Sequence, residues 1–394
     1  MARLGDISTV ITKGTTPTSM GFAFQDEGIN FVKIESVDEN GSFICEKFDH
    51  ISDECNEKLK RSQLQENDIL FSIAGAIGRT AIVTKDILPA NTNQALAIIR
   101  IPQSVINYSF LLYILQSSVV LEQAEKKKQG VAQLNLSLKD IGDFIIPDIP
   151  LEEQQEIVDN LDKVCNLIAF RKQQLSKLDE LVKSRFIEMF GDPITNNFQL
   201  PTEAMTEICT IIDGDRGSNY PKQEEFAEQG YCLFLNAKNV TATGFSFENC
   251  MFITEEKDNA LRKGKLERGD VVLTTRGTLG NLAYYDETVP FDNVRINSGM
   301  VILRMRKGVV SEVFFIEQFK LQLQSIKEKI ASGSAQPQLP ISTMNKIKIL
   351  IAPMERQKQF EAFIEQIDKS KFEIQKSLEK LETLKKALMQ NYFG

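Results

Sequence analysis

The sequence predicts an α/β (α+β) fold: two similar globular domains, each leading into a long helix, the two helices pairing as an antiparallel coiled coil. Three observations predict it. The chain is written twice, with a constant spacing between matching segments. Each copy mixes short β-like runs with turns and then becomes uninterrupted helix. Both helical stretches carry a seam that steps by four and three residues.

The repeat is plain in the segments themselves. Leu64 to Val83 reads LQENDILFSIAGAIGRTAIV, and Leu266 to Tyr285 reads LERGDVVLTTRGTLGNLAYY. Asp68 aligns with Asp270, Gly75 with Gly277 and Gly78 with Gly280, at an offset of 202. Further on, GVAQLNLSL from Gly130 meets GSAQPQLPI from Gly333, and Pro150 with Gln154 meets Pro353 with Gln357. Phe190 and its glycine then meet Phe393 and its glycine. Solenoid repeats have periods of about 20–50 residues, so this is a duplicated domain with its trailing helix. The expected domains are 1–150 and 192–353, with spacer helices at 151–191 and 354–394.

Within the first copy, INFVKI at Ile29, DILFSI at Asp68, ALAIIRI at Ala95 and FIIPDI at Phe144 read as strands separated by turn residues. INYSFLLYILQSSVVLEQAEKKK, from Ile106, has helical spacing. After Pro150, Glu152, Glu153 and Glu156 suit a helix N-terminus by charge–dipole attraction. The first seam is Ile157, Leu161, Val164, Ile168, Arg171, Leu175, Leu178, Val182, Arg185 and Met189. The second is Phe360, Ile364, Ile367, Lys371, Ile374, Leu378, Leu381, Lys385, Leu388 and Tyr392. Heptad seams of this kind pair, and the cationic interruptions Arg171 and Lys371 specify register. Antiparallel pairing within the chain serves both copies alike and sets the domains at opposite ends. Packing of each helix on its own domain, or dimerisation, are the alternatives. Gly191 is a natural helix stop, and Tyr392 and Phe393 should pack rather than lie in solvent.

Composition narrows the function. Hydrophobic residues make up 42% and charged residues 25%, as in soluble globular proteins. No apolar run approaches the ~18 residues of a membrane span, and MARLGDIST lacks a signal-peptide core. Six scattered cysteines without a C-x-x-C pair suit a reducing cytoplasm, and Cys45 and Cys250 read as packing residues. The single histidine, His50, reads as a surface residue, and its solitude excludes histidine-based metal sites and Ser-His-Asp triads. The net charge of −8 means that a nucleic-acid target would need much of its phosphate grip from elsewhere.

The candidate binding residues lie in matched loops. FSIAGAIGR holds Gly75, Gly78 and Arg79, and LTTRGTLGN holds Arg276, Gly277, Gly280 and Asn281. Each is either a tight turn needing positive φ or a ligand-facing loop. Neither is a dinucleotide or P-loop signature. NTNQALAIIR supplies Asn93 and Gln94, and RINSGMVILR supplies Arg295 and Asn297. Arg, Asn and Gln are readers of base edges, although Asn can equally cap a strand start. Gln133 and Gln336 occupy matching small-residue loops. GTTPTS, with Thr15 and Thr16, and DRGSNYP, with Arg216, follow the first strand of each copy and differ completely in sequence. Divergent loops on a matched frame are where two specificities would be written, or are simply unconstrained surface.

Taken in order, DILFSIAGAIGR, the Asn-Gln element, the G-x-A-Q loop, IPLEEQQEI and the helix ending SRFIEMFGDP, all present in duplicate form, resemble the specificity subunit of Type I restriction–modification enzymes. The resemblance covers essentially the whole chain. It implies two target-recognition domains that each read one half of a bipartite asymmetric site in double-stranded DNA. It implies a non-catalytic subunit without its own cofactor. Two methyltransferase subunits would carry S-adenosylmethionine chemistry on adenine N6, and restriction/translocase subunits would use ATP and Mg. The absence of an N/D-P-P-Y/F tetrapeptide and of a Walker motif agrees with that. One departure is that Leu134 and Asn135 become Pro337 and Gln338, so a role for Gln133 need not transfer to Gln336. The rival reading is a duplicated coiled-coil adaptor that binds only proteins.

Overall fold

The computed structural model describes residues 1–128, 135–331 and 338–394. They form two compact units, Met1–Lys172 with Gln375–Gly394, and Gln173–Ile374. Each unit therefore contains one globular part and one half of each long helix.

In the first unit an antiparallel sheet runs in the order Val10–Lys13, Leu96–Arg100, Ile69–Ser72, Thr80–Ile82. A second sheet orders Asp49–Ile51, Ile29–Val32 and Ala90–Thr92, the last two parallel. The second unit repeats both. Its sheets run Cys209–Asp213, Met300–Met305, Val271–Thr274, Leu282–Tyr284, and Phe252–Ile253, Cys232–Leu235, Val294–Ile296. The short strand Ile145–Ile146 pairs with Ala2–Arg3.

Side chains alternate across a strand, so a strand buried on both faces reads as a continuous apolar run. That is what DILFSI and ALAIIRI are. Ile69, Phe71, Ala97 and Ile99 face a core with Phe110, Leu111 and Ile114. Leu70, Leu96 and Ile98 face another with Val32 and Val37. In the second unit Val271, Leu273, Val301 and Leu303 meet Phe314 and Phe315, while Val272 and Ile302 meet Leu233 and Leu235.

The helix expected from Ile106 is broken. It forms Tyr108–Gln116 and Ser118–Lys127, with Ser117 extended at φ −74° and ψ 157°. The Ser117 hydroxyl and N–H both bond to Ile114 O, a local alternative that Ser offers a helix backbone. Its counterpart, Glu312–Ala331, is unbroken.

The long helices span Leu151–Phe190 and Met354–Phe393. None of the twenty seam positions is exposed. In the first unit Asn160 donates to the Tyr392 hydroxyl, and Lys172 lies 3.5 Å from Glu382. In the second unit Lys371 pairs with Asp179 at 2.6 Å, and Arg356 donates to Met189 O. Within each unit the pairing is antiparallel. Gln154 anchors the first helix by accepting from Asn107 N (2.8 Å) and donating to Ile149 O (2.9 Å). Gln357 repeats this with Ser311 N and Ala352 O, each at 2.8 Å. Phe393 packs on Phe110 in the first unit, and Phe190 packs on Phe314 and Phe360 in the second. Gly191, at φ 78°, stops the first helix as expected. Cys250 is partly buried, but Cys45 is exposed, which corrects its reading as a packing residue. His50 is partly exposed on the edge strand Asp49–Ile51.

Candidate nucleic-acid interface

Three loops meet at one end of the strands of the four-stranded sheet in each unit. In the first, the Gly14 N–H bonds to Asn93 O (3.1 Å), and the Thr16 hydroxyl donates to Gln94 Oε1. Asn93 Oδ1 accepts from Ala95 N (3.0 Å), and Ile73 N donates to Ala95 O (2.9 Å). These bonds fasten the loop after the first strand, the Asn-Gln turn and the Gly-rich loop together. Leu136 N donates to Ile73 O (3.0 Å), bringing the end of the G-x-A-Q segment alongside.

The second unit builds the same junction with other side chains. Asn297 Oδ1 accepts from Gly299 N (2.9 Å), and Thr275 N and Arg276 N both donate to Gly299 O. Arg216 reaches Ser298 O (3.3 Å) and Asp213 (3.1 Å), occupying the place that Thr16 has opposite Gln94. Leu339 N donates to Thr275 O (3.1 Å).

Two glycines that sequence reading left unexplained seat the divergent loops. A Cβ on Gly14 would lie 1.7 Å from Thr92 O, and one on Gly214 would lie 2.2 Å from Asn297 O. Only glycine admits so close a backbone approach. A glycine ending the first strand of each copy was the available signal. Asp215, 5% exposed, holds its loop by accepting from Gly217 N and Arg262 N, both at 2.7 Å. Those backbone donors, Gly217 first, keep its carboxyl below the usual carboxylate range.

The Gly-rich loops are hairpin connections between antiparallel strands. Gly75 and Gly277 have φ of 69° and 70°, and Gly78 and Gly280 both have 93°. The turn reading therefore accounts for the glycines. The tips still face solvent: Gly75, Ala76, Arg276, Gly277 and Thr278 are exposed. Below the tip, both copies carry a fork whose carboxylate is buried and whose guanidinium is partly exposed. Arg100 makes a bidentate pair with Asp68 at 2.6 and 2.7 Å, and Arg304 with Asp270 at 2.9 Å for both bonds.

The structure thus brings together Thr15, Thr16, Asn93, Gln94, Gly75 and Gly78, and again Arg216, Arg276, Gly277 and Asn297. Gly280, expected among them, is instead buried against Leu323, where the chain packs too closely for a side chain. Three further expected contacts are corrected. Arg295 is buried, paired with Asp258 and donating to Lys263 O and Leu261 O. Arg79 Nη1 donates to Ile34 O (3.2 Å) and Val37 O (2.8 Å). Asn281, at the matching position, donates to Val240 O (2.9 Å). Each of these side chains completes the packing of its own domain, where carbonyls need donors. Gln133 and Gln336 lie outside the described residues. Asn93 and Asn297 both spend their carbonyl oxygens on the turn, leaving the amide NH₂ groups. Among the described residues Arg276 has neither an ion pair nor a side-chain hydrogen bond.

A frame built twice, with different side chains on its clustered exposed loops, defines a duplicated recognition protein. Comparison with known proteins gives its kind. The chain belongs to the family described as the Type I restriction modification DNA specificity domain, whose model matches residues 1–180 and again 202–386. It is 31% identical over 175 residues to the Type I restriction enzyme EcoBI specificity subunit of Escherichia coli, a match spanning 43% of this chain and 36% of that one. It is 24% identical over 409 residues to the MjaVIII specificity subunit of Methanocaldococcus jannaschii, covering 99% of this chain and 90% of that one. The fold is similar to a chain of a type I restriction–modification complex, with TM-score 0.57, 18% identity and coverage of 99% and 96%. It is also similar to the S subunit from M. genitalium, with TM-score 0.51, 16% identity and coverage of 100% and 95%. No helix among the described residues is long and apolar enough to cross a membrane.

Proposed function

We propose that this chain is the DNA-reading subunit of a Type I restriction–modification enzyme, and that each unit reads one half of a bipartite asymmetric site. The observation that carries it is the doubled loop junction: one hydrogen-bonded frame, presented twice, with unlike side chains at its rim. In this reading Thr15, Thr16, Gly75, Gly78, Asn93 and Gln94 line the contact with one half-site. Arg216, Arg276, Gly277 and Asn297 line the other. The chain itself is non-catalytic. Two methyltransferase subunits bring S-adenosylmethionine and modify adenine N6, and restriction/translocase subunits bring ATP and Mg²⁺, in the cytoplasm. The acidic balance of −8 supports shared binding, since partner subunits would supply the rest of the positive charge.

The test is to map methylated adenines in cells expressing this chain with its methyltransferase subunits. One split motif is expected. Arg276→Ala should relax one position in one half-site by ~1–3 kcal/mol and leave the other half intact. Methylation without any motif would overturn the reading. So would tight, specific DNA binding at physiological salt by the chain alone, as far as shared binding is concerned.

A further inference from the structure

A basic pair recurs beside each loop junction. In the first unit it is Lys60 and Arg61, in the second Arg262 and Lys263, at the same offset of 202 as the Gly-rich loops. All four side chains are exposed. Each pair directly follows the short helix of its unit, Asp53–Lys58 or Glu255–Ala260. The surroundings place one pair beside the strand that leads into the divergent loop and the other against the loop itself. Lys60–Ser62 packs beside Val10–Lys13, the strand that runs into Gly14. Arg262 is tied to the second loop through its backbone bond to Asp215, and its Nη2 would lie 2.7 Å from a Cβ on Gly217. Gly264 lets the chain come within van der Waals reach of Gly214.

Arg262 lies near the Asp215 carboxylate, and the other three cations are little engaged by the protein. Among the described residues Arg61 and Lys263 make no ion pair. Lys60 has only a solvent-exposed partner, Glu57, at 3.0 Å, a kind of pair that contributes little. In a chain of net charge −8, a matched cation pair at both junctions stands out against its setting. What differs between the junctions is the rim: Thr16 stands opposite Arg216, and Ala74 opposite Arg276. Positions that differ can carry sequence information. Positions that repeat their charge in both units suit the chemistry common to both half-sites, which is phosphate.

We propose that Lys60–Arg61 and Arg262–Lys263 are duplicated phosphate clamps, one on the DNA backbone of each half-site. This rests on the reading of the chain as a DNA specificity subunit. The clamps set each unit on the duplex, and the neighbouring loops then meet base edges. The experiment uses the full complex with methyltransferase subunits and measures binding to cognate and random duplexes across a salt series. Lys60→Gln/Arg61→Gln and Arg262→Gln/Lys263→Gln should each weaken both duplexes by the same factor. Each should also flatten the slope of log K against log salt by roughly 2, one per lost phosphate contact. The methylated motif should not change. A variant that alters one motif position, or leaves the salt slope unchanged, overturns the clamp. Arg276→Gln is the counter-example that should alter the motif. If the wild-type complex shows no preference for any duplex, the specificity reading itself fails, a result distinct from failure of the clamp.

Discussion

The two units fasten the same corner in different chemistries. In the first, Asn91 on the parallel strand Ala90–Thr92 donates to Asn56 Oδ1 (2.9 Å) and Leu59 O (3.2 Å). In the second, Arg295 stands where Asn91 does, Asp258 where Asn56 does, and Leu261 O accepts as Leu59 O does. Lys265 adds a third charge, 2.6 Å from Asp258. Asn91 and Asp258 are fully buried. The frame therefore specifies a bond at this place, not a charge. A neutral amide pair and a buried ion pair both serve, but they fail differently. Losing half of an amide pair leaves an unsatisfied polar group, whereas losing half of a buried ion pair leaves an uncompensated charge.

Breaking each corner should expose that difference. Asp258→Ala strands Arg295 and should cost ~3–5 kcal/mol. Asn56→Ala strands only an amide and should cost about 1–3 kcal/mol. Amide hydrogen exchange of the intact chain, followed separately in 209–305 and 10–100, reads each effect in its own unit. Equal losses would show that the charge is well solvated.

Acid sharpens the same contrast. Burial alone would raise the Asp258 carboxyl, but bonds from Lys265 and Arg295 outweigh it and hold it below the usual range. Its folded value lies under the unfolded one, near 3.9 for an ordinary Asp. The stabilisation is therefore complete above about pH 5 and is lost as pH falls through the folded value. The Asn56–Asn91 corner has nothing to titrate. Exchange protection around 255–261 and 294–296 should fall below about pH 4 ahead of that around 53–59 and 90–92. Simultaneous loss would remove Asp258 as the cause.

The corner should also be exchangeable. The double variant Asp258→Asn/Arg295→Asn imports the first unit's pair and should recover most of the loss seen in either single variant, since replacing both partners of a buried pair is often near neutral. A double-mutant cycle measures it, and strict additivity would mean the two side chains are not coupled.

The smallest expected effect concerns the helix beneath. Gln318 is fully buried, and among the described residues neither of its amide atoms finds a partner. Ile114 fills the same place in the first unit. Gln318→Ile should raise stability by about 1 kcal/mol, read as a higher unfolding midpoint. A lower midpoint would show that ordered water satisfies the amide.

The seams and strands were legible because their signals are local. A step of four and three, or a buried strand's unbroken apolar run, lies within one short window. The junctions were half legible. Matched loops were visible, but the Asn oxygens are spent on turns that any Asn could make. The packing role of Arg295 is not legible in the sequence because its partner sits 37 residues away in EEKDNA, a helix that looks like any acidic surface helix. Gly14 and Gly214 were missed for the same reason: the backbone they approach is about 80 residues downstream. Two adjacent cations are ordinary in a sequence until the fold sets them beside a loop.

The composition of the first unit has a consequence for how the chain is made. Its core includes Phe393, packed on Phe110, and residues 375–394 belong to it as fully as residues 1–172 do. Domains usually fold in order as they leave the ribosome, N-terminal first. Here the first half emerges without its closing segment, residues 375–394, which come only after the whole of the second unit. Until then the Phe110 surface is open. Synthesis that stops early yields a second unit that holds all its parts beside a first unit that lacks one, so a truncated reader would present a sticky, unfinished half.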